Sequence, residues 1–177
     1  MIRRILGLAV LMLATPAQAA DLSTIGCIGD KLDAATREQI ATDVAHNLEA
    51  NKQGGKYSPS VIKAFNEAAA ACATENRWPV AAGRPAILYT LAKFSLPTVQ
   101  RIATERGLDV SALEVQWFAL PEEQRNKPLT PELYHQLADA AIPEGEGRTQ
   151  AMGTLVHTFF EFENILQSAS VDFAKAV

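Results

Sequence analysis

The sequence predicts an all-α protein, a single-domain bundle of about six or seven helices with one disulfide. Three observations predict it. Apolar residues after Leu32 recur at the helical period, and no run alternates as a half-buried strand does. Aliphatic residues and alanine dominate the hydrophobic 48% of the chain, because aromatic residues account for only 7%. The two cysteines, Cys27 and Cys72, follow a stretch that is typical of an export signal.

Residues 1–19 are predicted to be a cleaved signal peptide. Arg3 and Arg4 form its positive region, residues 5–13 form a short apolar stretch, and residues 17–19 (Ala-Gln-Ala) match the small-x-small cleavage pattern. The apolar stretch is too short to span a bilayer, so we expect removal and no membrane anchor. The mature chain, 20–177, is then one soluble all-helical domain in the bacterial periplasm or outside the cell.

Capping residues predict where the first helices begin. Asp33 or Thr36 caps a helix that runs to about residue 51, since both side chains can accept a hydrogen bond from the free N–H groups of a first turn. Pro59 opens a second helix, over about 59–76, because its fixed φ suits the first helical position.

Proline and glycine divide the rest of the chain. A third helix covers about 87–106, and Pro97 is predicted to break or kink it, because proline removes a backbone donor from the helix interior. Asp109 caps a segment over about 109–120. The remaining predicted elements are a turn at 122–127, a helix from Thr130 to Pro143, an acidic loop at 144–147, and a last helix from about 148 to about 168 or to the terminus.

The charge balance argues against two classes of partner. The chain carries a net charge of −4, and loss of Arg3 and Arg4 with the signal leaves 14 basic against 20 acidic residues, a net charge of −6. An acidic protein lacks the basic surface that attracts nucleic acid or anionic lipid, so neither is expected as a partner. No phosphate-binding loop or haem-attachment motif is present, so no cofactor is predicted.

Cys27 and Cys72 are expected to form a disulfide, because two cysteines in an oxidising compartment usually pair. Closing the long loop between them stabilises the fold by roughly 4 kcal/mol on the chain-entropy account. The alternative is two separate buried thiols. A redox role would require a Cys-x-x-Cys pair or an activated thiol, and the sequence shows neither.

Each of the three histidines lies three or four residues from a carboxylate, a spacing that can place two metal ligands on one helix face. The pairs are Asp43 with His46, Glu132 with His135, and His157 with Glu161. Helical geometry turns the first two pairs away from the apolar stripes of their helices, so they are expected to face solvent. No metal site is predicted, although His157 lies at the edge of its apolar stripe.

Glu163 is the most unusual residue of the last helix. It projects into the apolar face of that helix, whereas Glu161 is expected on the far side. A carboxylate in such a place must pair, accept hydrogen bonds or raise its pKa, and Arg84 is the predicted partner. A structural ion pair is the simpler interpretation. The alternative is a ligand site formed by Glu163 and Arg84 with Trp117 and Phe160.

The resulting functional hypothesis is a non-enzymatic protein that binds a protein partner or a small apolar ligand in the cell envelope. It depends on export, on the helical composition and on the surplus of aromatic residues in the last helix. The alternative is a small periplasmic enzyme or metal-binding protein that uses His157, Glu161 and Glu163. A purely structural envelope protein is a third possibility. The order of residues 168–177 is left open.

Overall fold

The computed structural model describes residues 19–51, 55–142, 145 and 149–177. The predicted signal peptide lies outside these residues except for Ala19, and most of the predicted acidic loop at 144–147 lies outside them as well. Export and the division of the chain at residue 19 therefore remain predictions.

The all-α prediction is confirmed. Within the described ranges the chain forms eight α-helices and two short 3-10 turns, and it contains no strand. The helices are α1 (Cys27–Lys31), α2 (Ala34–Glu49), α3 (Pro59–Asn76), α4 (Gly83–Glu105), α5 (Val110–Ala119), α6 (Glu122–Arg125), α7 (Pro131–Ala141) and α8 (Gln150–Lys175).

The predicted caps form as hydrogen bonds. Asp33 caps α2 by accepting from the N–H of Thr36 at 2.7 Å, which settles the choice between these two residues. Asp109 caps α5, and Thr130 caps α7. These side chains satisfy donors that a helix start would otherwise leave free, so local sequence sets where the helices begin.

Pro97 was predicted to break or kink this helix; it does not break it, because α4 continues through Pro97 as a single helix. Leu96 and Val99, on either side of the proline, are both buried against the rest of the core. Tertiary packing thus holds together a helix that its local sequence weakens. The undivided α4 makes the most extensive helix–helix contact in the described chain, with α8.

Helix α8 is surrounded by other elements. Phe159 and Phe160 are both 0% exposed although they are consecutive, and their rings meet edge to face at 5.3 Å. The helix continues to Lys175, so the last residues are docked. Phe173 packs edge to face on Trp78 at 5.1 Å, and the N–H of Ala20 donates to the carbonyl of Ala176.

The predicted disulfide is confirmed: Cys27 and Cys72 are bonded, with their Cα atoms 6.0 Å apart. The bond joins α1 to α3. Helix α1 was not predicted, because five residues are too few to show a helical period. The disulfide and the buried Ile28 hold this short helix against the bundle.

Asn164 fixes the segment between α6 and α7 to the side of α8. Its side-chain oxygen accepts from the N–H of Leu129 at 3.3 Å, and its amide donates to the carbonyls of Arg125 and Lys127 at 3.1 and 2.8 Å. A buried amide with three backbone partners is demanding to replace, because removal strands buried backbone groups. This contact determines how α7 approaches α8.

We expect Asn164→Ala to lower the free energy of unfolding by roughly 2–4 kcal/mol, since it loses these bonds and leaves buried partners unsatisfied. Urea denaturation followed by circular dichroism measures the change. Gln167→Ala is the control, because the one hydrogen bond of the Gln167 side chain among the described residues is to the side chain of Asn126. Equal losses from the two variants would contradict the role given to Asn164.

Candidate functional site

Three adjoining cavities run along α8. The histidine cavity, between α7 and α8, has a volume of about 690 Å³. The inner cavity, between α2, α4 and α8, has a volume of about 320 Å³, and the terminal cavity, between α4 and the end of α8, about 740 Å³. Tyr134 lines the histidine and terminal cavities, and Glu161 lines the inner and terminal cavities.

Glu161 lies where the inner and terminal cavities meet, so its predicted place on the far side of α8 is wrong. That prediction assumed a single apolar face, whereas α8 is packed on several sides. Burial raises the pKa of the Glu161 carboxyl above its ordinary value. Within the described part of the chain, no hydrogen bond reaches this carboxyl and no lysine or arginine pairs with it.

Two tyrosines line cavities that Glu161 also lines. Tyr57 lines the inner cavity, and its hydroxyl is 3.2 Å from that of Ser95 on α4. Tyr134 lies on α7. Burial raises the pKa of both phenols, with the Glu161 carboxylate as a further cause, and it brings the pKa of Tyr134 to about 12. Both rings are therefore neutral at physiological pH.

His157 precedes Glu161 by one helical turn. Its Nδ1 is 3.9 Å from a Glu161 oxygen, too far for a hydrogen bond, and this buried nitrogen has no hydrogen-bond partner. The ring stacks on Tyr134, with centroids 4.2 Å apart. Burial, with His135 as a further cause, lowers the pKa of His157 below its ordinary value of 6.5, so the ring is neutral at pH 7.

Asp43 is buried, which corrects its predicted place on the solvent side of α2. Its carboxylate accepts from the N–H and hydroxyl of Ser58 at 2.7 and 2.8 Å, and from Gln39 at 2.9 Å. Burial tends to raise the pKa of Asp43, but these hydrogen bonds outweigh it and hold the pKa below its usual range. Asp43 thus fixes the start of α3 and the neighbouring Tyr57.

The other histidine predictions are confirmed in part. His46, Glu132 and His135 are exposed, as expected, although His135 also lines the histidine cavity. No group of three or more His, Cys, Asp or Glu side chains suited to a metal occurs among the described residues.

The four residues predicted to bind a ligand do not come together. Trp117 and Phe160 are fully buried in the core and line none of the three cavities. Arg84 is exposed and lines the terminal cavity, and no ion pair joins it to Glu163. The predicted Arg84–Glu163 pair is therefore absent.

Glu163 is half-buried and is directed towards Glu114 of α5, away from the cavities. Burial, with the Glu114 carboxylate as a second cause, raises the pKa of Glu163 to about 7. The predicted upward shift of the Glu163 pKa is therefore present, but the charged residue that acts on Glu163 is a second acid and not an arginine.

Comparison with known proteins adds no relative: no protein-family model, curated protein or solved structure matches the chain. None of the described helices is long and apolar enough to cross a membrane.

Sequence reasoning missed Tyr57 and Tyr134 as cavity residues. Tyr57 belongs to the connection before α3, where no periodicity applies. Tyr134 lies beside Leu133 on the apolar side of α7, where it resembles an ordinary core residue. Only their three-dimensional approach to Glu161 distinguishes them, and no local pattern encodes that approach.

We expect Glu163→Gln to change the pH dependence of stability. The native carboxyl binds its proton more tightly than the unfolded one, so the native chain loses stability as pH rises from 4.5 to about 7. Glutamine removes this loss. The difference in the free energy of unfolding, variant minus native, should therefore rise by on the order of 1 kcal/mol from pH 4.5 to pH 8, after allowance for solvent screening.

Urea denaturation at the two pH values measures that difference. Glu38→Gln, at an exposed position on α2, is the control. A difference between Glu163→Gln and the native protein that does not vary with pH would contradict the assignment.

Proposed function

We propose that the protein is an exported, non-enzymatic binding protein that holds a small, largely apolar molecule in the inner cavity. The observation that carries the proposal is the cavity itself, whose volume of about 320 Å³ lies at the lower end of the range for ligand pockets. Export is supported by the disulfide, since such bonds persist in oxidising compartments.

The lining of the inner cavity supports an apolar ligand. Most of its side chains are aliphatic or aromatic, and they come from α2, α4 and α8. They are Val44, Leu48, Leu88, Leu91, Phe162 and Ile165. Water in such a cavity finds few partners, so its replacement by an apolar molecule is favourable.

The surplus aromatics of α8 support a ligand more than a protein partner. Phe159 and Phe160 are in the core, and Phe162 lines the inner cavity, so none of them offers an exposed surface. Large exposed apolar side chains lie on other elements, among them Val115 and Phe118 on α5, which are 69% and 64% exposed. Nothing else in the structure marks that small patch as an interface.

The second candidate is acid–base catalysis at the histidine cavity. It is favoured by the proximity of His157 to Glu161 and by the free Nδ1 of His157. A neutral histidine beside a carboxyl of raised pKa is a combination found in general acid–base sites. Glu163, the third residue of the enzyme hypothesis, lies elsewhere, and so the binding proposal ranks first.

For the binding proposal, we expect the native protein to bind 1-hexanol and Leu91→Phe to lose at least about tenfold in affinity, because the larger ring occupies the cavity. Isothermal titration calorimetry measures both. Ile62→Phe, on the exposed face of α3, is the matched control and should bind as the native protein does. Unchanged binding by Leu91→Phe, with its stability intact, would place the alcohol elsewhere and contradict the proposal.

For the second candidate, we expect hydrolysis of a short chromogenic ester to fall by at least about a hundredfold in His157→Gln, since a positioned base contributes that much. A spectrophotometric assay measures the rate, with His46→Gln, an exposed histidine of α2, as the control. No turnover above the uncatalysed rate by the native protein would remove this candidate for ester substrates.

A further inference from the structure

We propose that the ligand is an organic cation, an amine or quaternary ammonium with an apolar body, whose charged head lies against Glu161. The body fills the inner cavity. This inference rests on the proposed function, because it names the chemical class of the molecule held at that same site.

Glu161 is a carboxylate without a counter-ion in an apolar setting. The ionisable group nearest to it is His157, which burial keeps neutral. Arg84 shares the terminal cavity with Glu161 but forms no ion pair with it, and no other cation among the described residues does so. A half-buried charge of this kind is costly, and a bound cation offsets the cost directly.

The other polar groups of the inner cavity already have partners. The amide of Asn47 donates to the carbonyl of Lys56, and the hydroxyl of Thr158 donates to the carbonyl of Thr154. The Tyr57 hydroxyl is engaged with Ser95. Each of these side chains thus forms at least one hydrogen bond, whereas none reaches the Glu161 carboxyl among the described residues. When ionised, this carboxyl accepts but does not donate.

The tyrosines that share cavities with Glu161 favour the same class of ligand. Tyr57 lines the inner cavity, Tyr134 lines the terminal cavity, and Glu161 lines both. Ammonium groups bind over aromatic faces within about 6 Å, most strongly where water is excluded. A carboxylate in cavities that tyrosine rings also line is a suitable receptor for such a head group.

Charges in the terminal cavity do not reverse this selectivity. Arg84, Asp172 and Lys175 line that cavity and are all exposed, so solvent and salt weaken their fields. An anionic head at Glu161 would meet a carboxylate at close range in a less polar setting. The site therefore selects a cation over an anion.

Four probes that share one hexyl chain test the inference. Hexylammonium, hexyltrimethylammonium, 1-hexanol and hexanoate are titrated into the mature, oxidised protein by calorimetry at pH 7.5. We expect the two cations to bind at least about tenfold more tightly than 1-hexanol, and hexanoate to bind most weakly. In Glu161→Gln the cations should lose this advantage, while the affinity for 1-hexanol should stay within about twofold of the native value.

Glu163→Gln is the matched control. It removes a carboxyl of raised pKa two residues away on the same helix, at a place outside all three cavities. Its preference for cations should equal that of the native protein. A preference lost in both variants would show a general charge effect and overturn the inference.

The outcomes separate the two proposals. If 1-hexanol and the cations bind equally well, the ligand class is overturned while the apolar binding function stands. If no probe binds, the proposed function itself fails. If the cations keep their advantage in Glu161→Gln, their charged heads bind elsewhere. The inference then fails, while binding of 1-hexanol in the inner cavity still supports the proposed function.

A titration of the native protein provides a test that needs no Glu161 variant. Hexylammonium affinity should rise with pH as Glu161 ionises, and 1-hexanol affinity should not. The titratable and charged groups around the site are Asp43, Tyr57, Arg84, Tyr134, His135, His157, Asp172 and Lys175. His157 would weaken cation binding in the same direction when protonated, so the rise must persist in His157→Gln. A rise that disappears in this variant overturns the role of Glu161.

Discussion

The packing of α8 inside the bundle is the constraint on which the rest of the structure depends. Helix α4 covers it along the most extensive contact in the described chain, and α2, α6 and α7 pack on it from other directions. Along its middle, a helix packed in this way has little solvent-exposed surface on which to place polar groups. Buried and half-buried polar residues of α8 therefore either find a partner or have a shifted pKa. Asn164 finds three backbone partners, whereas Glu161, Glu163 and His157 show shifted pKa values.

The cavities follow from how the neighbouring helices cover α8. Helix α7 is short, and Asn164 fixes its approach through the segment that precedes it. On the other side, Asp43 fixes the start of α3 and the Tyr57 that precedes it. The two attachments leave α8 incompletely covered between them, and Glu161 lies in that gap. Most polar residues around the site thus form hydrogen bonds that hold the helices together. Glu161 is the exception, because no hydrogen bond reaches its carboxyl among the described residues.

Sequence patterns predicted what depends on neighbours along the chain. The caps at Asp33 and Thr130 and the all-helical character depend on local hydrogen bonding and on periodicity, which the sequence displays. Predictions that needed a surface to be assigned to a helix failed at Asp43 and Glu161, since a helical wheel assumes one buried face. The alternative of a break at Pro97 failed for a related reason, because the packing of α4 on α8 outweighs the local cost of a proline. At Glu163 the upward pKa shift was predictable, but the presence of Glu114 beside it, in place of the predicted Arg84, was not.

Glu161 and Glu163 differ in what can relieve the cost of burial. Both are carboxyls on α8, and burial is the main cause of the raised pKa of each. Glu163 lines none of the three cavities, and binding of a proton relieves both its burial and its repulsion by the Glu114 carboxylate. Glu161 lines two cavities that also contain tyrosine rings, where a larger cation has room. A molecule that binds only the native state stabilises that state. In the proposed complex, a cation at Glu161 offsets the cost of burying the carboxylate, and this gain adds to its affinity over that of a neutral ligand. The same side chain on the same helix thus makes stability pH-dependent at position 163 and is the proposed recognition group at position 161.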